Sequence, residues 1–260
     1  MNVITSRDNV KIKYIRSLNT KKFRDQEKVF TVEGIKFVQE AFKEKADIRF
    51  VLFSESALLK DEVKDMLEGI KAEAFACTDD VFDSVAETVN AQGVLAVIGK
   101  KQESSLNFNH MKFAVMCDRI QDPGNLGTII RTADAFGPAV VILNKGCVDQ
   151  YNPKVVRASA GAIFRVPFIH ADNDHEAVVN LKQAGFKVYS TVVESEYSFE
   201  DVEKSEKICV VIGNEGQGVS ADIAGASHQK ITIRMSGRAE SLNASIAAGI
   251  CIYEMRKKLL

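Results

Sequence analysis

Five apolar residues in a row, Ile208 to Ile212, end abruptly in Gly213-Asn214-Glu215-Gly216-Gln217-Gly218-Val219-Ser220. A run of that length, bounded by Lys207 and Gly213, reads as a strand buried on both faces, as in the middle of a parallel sheet. This feature narrows the fold to α/β classes, because such a sheet needs helices over both of its faces. Open sheets of this kind bind ligands just past the carboxyl ends of their strands, so function is expected among these glycines. Gly213, Gly216 and Gly218 let backbone come close to a flat ligand. Taken alone, the stretch is equally compatible with a glycine-rich turn that binds nothing. Its spacing disfavours two nucleotide sites. The order is G-x-x-G-x-G, not the dinucleotide G-x-G-x-x-G, and no Lys-Ser or Lys-Thr follows to make a phosphate loop.

The remainder of the second half alternates in the same way. Strands are predicted over 112–117, 139–143, 187–193, 208–212 and 230–233, with helical stretches between them, the pattern of stacked βαβ units. Asp122-Pro123-Gly124-Asn125 is turn chemistry, after which Leu126, Ile129, Ile130 and Ala133 fall on one helical stripe that stops at Gly137-Pro138. Arg131 lies about 140° around that helix from Leu126, off the stripe, and is a candidate anion contact. Near the end of the chain, Ser241 or Asn243 can cap a helix running to about Lys258, apolar over much of its circumference.

The first half predicts helices over 9–18 and 30–42, the second with Thr31 as its N-cap and Val32, Ile35, Phe37, Val38 and Ala41 near helical spacing. A strand over 48–53, a helix over 60–69 and strands over 75–77 and 94–98 complete a small α/β domain. The polar string 99–109 breaks the periodicity. The expected organisation is therefore a domain at 1–99, a linker at 100–110 and a second domain at 111–260.

Composition adds limits. The 260 residues are 46% hydrophobic and 27% charged with a net charge of -1, ordinary for a soluble globular protein. Five singly spaced cysteines, with no C-x-x-C and no histidine at ligand spacing, predict reduced core residues of a cytosolic protein and no metal. Neither an export signal nor a membrane span is expected. Charge is uneven, however: Arg7, Lys11, Lys13, Arg16, Lys21, Lys22, Arg24 and Lys28 face only Asp8, Asp25 and Glu27 within the first 28 residues. A solvated helix face is the plain reading of such a run. The sharper one is contact of Lys11, Lys13, Arg16, Lys21, Lys22 and Arg24 with a phosphate backbone.

Three stretches then combine: DRIQDPGNLGTIIRTADAFG (118–137), VIGNEGQGVS (211–220) and IRMSGRAESLNASIAAGICIYE (233–254). In that order they resemble the three motifs of the SpoU (TrmH-like) branch of the SPOUT RNA methyltransferases, and the resemblance spans roughly residues 112–258. The opening of the chain is similar to the L30e-like substrate-binding domain that many members carry. Arg234 departs from the family pattern, standing where proline is usual.

The resemblance implies an α/β parallel sheet tied as a deep trefoil knot, preceded by a small L30e-like α/β domain. It implies methyl transfer from S-adenosylmethionine to a ribose 2′-hydroxyl of structured RNA, with 23S ribosomal RNA expected and transfer RNA, or a knotted RNA-binding protein without catalysis, as alternatives. By resemblance, Thr191, Gly213, Asn214, Gly216, Ile233, Met235 and Leu242 bind the cofactor. Asn125, Glu215, Ser241 and Asn243 form the polar catalytic set with Arg131, which reaches in from the other subunit of a homodimer.

Overall fold

The computed structural model describes residues 3–101, 108 and 111–260, so most of the expected linker lies outside the described residues. In chain order the first elements are β1 (Val3–Ile4), α1 (Val10–Ser17), α2 (Lys21–Glu27), β2 (Val29–Glu33) and α3 (Ile35–Lys43). Then come β3 (Ile48–Ser54), α4 (Glu55–Leu58), α5 (Asp61–Gly69), β4 (Glu73–Cys77), α6 (Asp79–Asp83) and β5 (Val94–Gly99). The second half contributes β6 (Phe113–Cys117), α7 (Pro123–Ala135), β7 (Val140–Asn144), α8 (Pro153–Ala158), β8 (Phe168–Ala171) and α9 (Asp174–Gln183). It ends with β9 (Lys187–Thr191), β10 (Ile208–Ile212), α10 (Ala221–Ala226), β11 (Gln229–Ile231) and α11 (Ala244–Arg256).

These elements form two compact units: Met1–Gln102 with Asp149–Phe164, and Glu103–Val148 with Arg165–Leu260. The first therefore borrows a segment, including α8, from the middle of the second half. No contiguous division of the chain would include that excursion. It is built into the first unit by specific contacts. Phe30 stacks on Tyr151 with ring centroids 4.6 Å apart, and Arg24 pairs with Asp149 at 2.6 Å with both side chains buried.

The first unit has a mixed sheet in the order β1-β4-β3-β5-β2, with β5 antiparallel to both of its neighbours. Its core joins Ile12, Ile15 and Leu18 of the first helical segment to Phe50, Leu52, Val81, Phe82, Leu95 and Val97. One expectation fails here. Residues 29–33 are a strand, not the start of a helix, and Thr31 lies mid-strand opposite Val97. Val29, Thr31 and Val32 are β-branched and Phe30 is aromatic, residues that fit a pleated, paired surface. The helix starts only at Ile35, after Gly34 with φ of 109°.

The second unit has six parallel strands in the order β11-β9-β10-β6-β7-β8. β10 sits between β9 and β6, and all five of its residues are buried, as the unbroken apolar run predicts. One sheet face, with Met116, Ile142, Val188 and Val211, packs on Val178 and Leu181 of α9 and Ile223 of α10. The opposite side carries α7 and α11, which pack on each other, α11 also against β10. Leu126, Ile129, Ile130 and Ala133 are all buried, so the predicted stripe of α7 is its packing face. The last strand is shorter than expected, ending at Ile231, and α11 is capped by Asn243 rather than Ser241. The five cysteines are free thiols, and burial pushes Cys251 up to about 12.

Candidate functional site

The sheet order reverses direction beside β6, and a crevice past the carboxyl ends of the strands is the expected ligand site in such folds. A cavity of about 480 Å³ lies there, lined by the turns after β9, β10 and β11 and by the start of α11. That size is within the roughly 300–1,000 Å³ of small-molecule pockets. Val192, Ile212, Val219, Ile233, Met235 and Leu242 give it apolar walls, while Thr191, Asn214, Glu215 and Ser241 add polar groups. All seven residues expected to hold a cofactor line this one cavity. Arg234 does not line it, yet Ile233 and Met235 on either side do, so the wall is kept without the usual proline.

The glycine loop has a defined shape because its own side chains hold it. Asn214 and Gly218 exchange backbone hydrogen bonds of 3.1 and 2.9 Å across it. Asn214 Oδ1 accepts from the Gly216 and Gln217 amides at 2.9 and 3.1 Å, and its Nδ2 donates to the Arg119 carbonyl at 2.8 Å. Gly213 is obligatory for a steric reason: a Cβ there would sit 2.2 Å from the Gly218 carbonyl carbon. Thr191 Oγ1 donates to the Val211 carbonyl at 2.8 Å, tying the turn after β9 to β10.

At the edge of the cavity three of the expected polar residues form a chain. Asn125 Nδ2 donates to Glu215 Oε1 at 3.0 Å, and Asn243 Nδ2 donates to Asn125 Oδ1 at 2.9 Å. Asn243 Oδ1 in turn accepts from the Ser245 amide and hydroxyl at 2.9 and 2.7 Å, which is the N-cap of α11. Asn125 lies in the first turn of α7, where its backbone N–H donates to Oδ1 of the N-cap residue Asp122 at 2.7 Å. Both side-chain amides are therefore held in fixed orientations beside Glu215, which lines the cavity. Helix N-termini also carry partial positive charge, which favours an anion nearby.

Arg131 is not part of this chain. It is exposed on α7 and has no hydrogen-bond or ion-pair partner among the described residues. Sequence reasoning overlooked Asp118 and Arg119, which follow β6 directly. Asp118 is fully buried and accepts from the Ser220 amide at 2.7 Å and from Arg119 Nε at 2.9 Å. A carboxylate at the end of an all-apolar strand was the available signal, since a buried charge demands partners.

The basic patch of the first unit divides. Arg24 is 2% exposed, donating to Asp149 and to the Leu18 carbonyl, so it serves the interior and is no surface contact. The others are at the surface. Lys11 pairs with Glu73 and lies over the Phe50 and Phe75 rings, Lys13 pairs with Asp8, and Lys21 pairs with Asp25. Arg16 donates to Ser84 Oγ at 3.3 Å, and Lys22 has no partner among the described residues. No group of three or more potential metal ligands occurs among the described residues.

Residues 112–253 match the SpoU rRNA Methylase family, and residues 9–96 match the MRM3-like substrate binding domain. The chain is 34% identical to the Bacillus subtilis 23S rRNA (guanosine(2553)-2'-O)-methyltransferase RlmP, with 98% of this chain and 100% of the relative covered. An AdoMet-bound rRNA methyltransferase of Sinorhizobium meliloti superposes with a TM-score of 0.87 at 30% identity, covering 100% of this chain and 98% of that one. The SpoU methyltransferase AviRb of Streptomyces viridochromogenes, in complex with AdoMet, gives 0.87 at 27% identity, covering 96% and 97%.

Proposed function

The chain belongs to the SpoU rRNA Methylase family, and from that premise we propose that it methylates a ribose 2′-hydroxyl of structured RNA, with 23S ribosomal RNA as its substrate. As a family member it is an RNA methyltransferase whose cofactor is S-adenosylmethionine. The residues present fit that cofactor. Gly213, having no Cβ, lets the Gly218–Val219 backbone close against it and so shapes the loop that lines the cavity, and the apolar walls suit a purine. Thr191, Gly213, Asn214, Gly216, Ile233, Met235 and Leu242 would hold it.

The observation that carries the reading is the hydrogen-bonded chain Glu215–Asn125–Asn243 at the edge of that cavity. When bound, S-adenosylmethionine supplies an electrophilic methyl and a neutral leaving group. What the protein must add is placement of the ribose oxygen and help with its charge. Asn125, Asn243, Ser241 and Glu215 orient the ribose, the Asn243 amide fixed in advance by its capping of α11 and the Asn125 amide by its bonds to Glu215 and Asn243. The partner's Arg131 holds the adjacent phosphate and stabilises negative charge developing on the 2′-oxygen. Arginine stays protonated and is no base, which leaves a substrate phosphate or water to accept the proton.

The shared site requires a homodimer. Support comes from α11, whose exposed Ile246 and Tyr253 form an apolar surface with Phe136, 5.5 Å from the Tyr253 ring. In the same reading the carboxyl-terminal segment is threaded as a deep trefoil knot, which would bring three turns to one cavity. The first unit holds the RNA through Lys11, Lys13, Arg16, Lys21 and Lys22. Surface ion pairs are worth only about 0–1 kcal/mol, so phosphates can displace their present partners. The place of action is the cytoplasm; no described helix is long and apolar enough to cross a membrane.

The test is methylation of unmodified total RNA with labelled cofactor, followed by mapping of 2′-O-methyl sites. Label in 23S RNA is the expected result. Label confined to transfer RNA overturns the substrate, and no transfer to any RNA overturns the activity.

A further inference from the structure

Arg119, the second residue after β6, has a left-handed backbone with φ of 55°. A side chain is strained there, and such strain is retained where surrounding contacts enforce it, often at functional sites. The contacts are specific. The Arg119 carbonyl is held by Asn214 of the glycine loop at 2.8 Å. Its guanidinium Nε and Nη2 donate to the two oxygens of Asp118 at 2.9 and 3.4 Å. Asp118 is itself fully buried and fixed by the Ser220 amide at 2.7 Å. The turn after β7 leaves room for the side chain at Gly146, where a Cβ would come within 3.1 Å of Arg119 Cγ.

The inner edge of this guanidinium is thus locked by a buried carboxylate. The outer edge is not. Nη1 donates at 3.1 Å only to Gln217 Oε1, an exposed amide two residues from Glu215, and the Arg119 side chain is 30% exposed. Neutralising Asp118 uses the inner edge alone. A planar guanidinium pinned on one side and open on the other is preorganised for an oxyanion, and a phosphate would make a stronger, charge-assisted contact than the Gln217 amide.

We propose that Arg119 is a second phosphate-binding residue of the methyl-transfer site, contacting the RNA backbone beside the target ribose from the same subunit whose pocket holds the cofactor. The proposal rests on the RNA methyl-transfer reading and adds to it. Each site then has two cations of different origin, Arg119 of its own chain and the partner's Arg131. Only Arg119 is fixed before RNA arrives.

The experiment compares Arg119→Ala, Arg119→Gln and Arg119→Lys with the wild type. Affinity for in vitro transcribed, unmodified 23S RNA is measured against KCl concentration with protein saturated in S-adenosylhomocysteine. The affinity for that ligand is measured separately, along with KM for RNA and kcat. Arg119→Ala and Arg119→Gln should weaken RNA binding roughly 10-fold and lower the slope of log Kd against log salt by about 0.7–0.9, the share of one phosphate. The loss should appear in KM for RNA, with affinity for S-adenosylhomocysteine kept within about threefold. Arg119→Lys, which keeps the charge opposite Asp118 and guards against misfolding, should retain the slope and recover part of the affinity. An unchanged slope in the first two variants overturns the proposal. So does a parallel loss of S-adenosylhomocysteine affinity, because Arg119 would then act only by bracing Asp118 and the glycine loop. Wild-type protein that binds the transcript without methylating any RNA refutes the proposed activity, while the slopes still decide the role of Arg119.

Discussion

Replacing Gly213 with alanine adds one methyl group where the end of β10 meets the backbone of the glycine loop. Its Cβ would lie 2.2 Å from the Gly218 carbonyl carbon and the Val219 nitrogen and 2.7 Å from the Gly218 oxygen. These are backbone atoms, so no rotamer can relieve the overlap. Restoring ordinary contact, at 3.4–4 Å, moves the facing strand of the loop by more than an ångström. That displacement breaks the two reciprocal hydrogen bonds between Asn214 and Gly218. At about 1 kcal/mol net for each bond, the distorted loop costs about 2 kcal/mol. Cofactor affinity should fall by roughly 30-fold, since 1.4 kcal/mol corresponds to tenfold. Titration calorimetry with S-adenosylhomocysteine measures the loss, and a thermal melt checks that the sheet is intact. Binding of Gly213→Ala within threefold of the wild type would refute the reasoning, because the loop would then be free to open at no cost.

Arg131→Ala should keep the fold, dimer and cofactor affinity and lose about 10²-fold or more in methyl transfer, the scale for removing one oxyanion-stabilising donor. Mixing it with subunits inactivated at Asn243 should restore part of the activity; no recovery after verified subunit exchange rules out the shared site. Arg24→Ala leaves the Asp149 carboxylate buried without its cation, and chemical denaturation should show a loss of about 3–5 kcal/mol. Arg24→Met with Asp149→Leu should recover most of it, and a single-variant loss below about 1 kcal/mol would contradict the interior role. Burial, with Lys182 and Lys187 nearby, holds His228 below its ordinary value, and its Nδ1 accepts from the Val188 amide at 3.1 Å. The unfolded chain therefore takes up the proton first, so stability should fall as pH drops below about 6.5. His228→Asn keeps an acceptor and should flatten that dependence, seen in denaturant midpoints at pH 7.5 and 5.5; an unchanged difference excludes His228 as its source.

The parts of this protein that were readable from sequence are those determined locally or by contiguous motifs. An unbroken apolar run such as Ile208 to Ile212 has few alternatives to a covered central strand, and a glycine at its end is a close-approach signal on its own. Residues 29–33 misled because Val32 also falls near helical spacing with Ile35 and Val38, and only pairing with β5 decides between the two periods. Arg24 misled for a different reason. Whether a cation faces solvent or an interior carboxylate depends on its partner, and Asp149 is 125 residues away. The pair Asp118 and Arg119 was invisible as a unit, since neither the left-handed turn nor the Ser220 amide beneath the carboxylate has a local signature.

The borrowed segment Asp149–Phe164 makes the main chain pass between the two units three times, after Gln102, after Val148 and after Phe164. A single nick between Gln102 and Met111 frees residues 1–102 covalently, yet the fragment should stay bound through its packing on Asp149–Phe164, which remains joined to the second unit at both ends. The same geometry constrains engineering. Removing residues 1–99 as a block would strip Tyr151 and Asp149 of Phe30 and Arg24 and leave a bare apolar segment on the remainder. A graft that moves the first unit onto another enzyme must carry α8 and its flanks along, cut at both ends and rejoined, as one discontinuous piece.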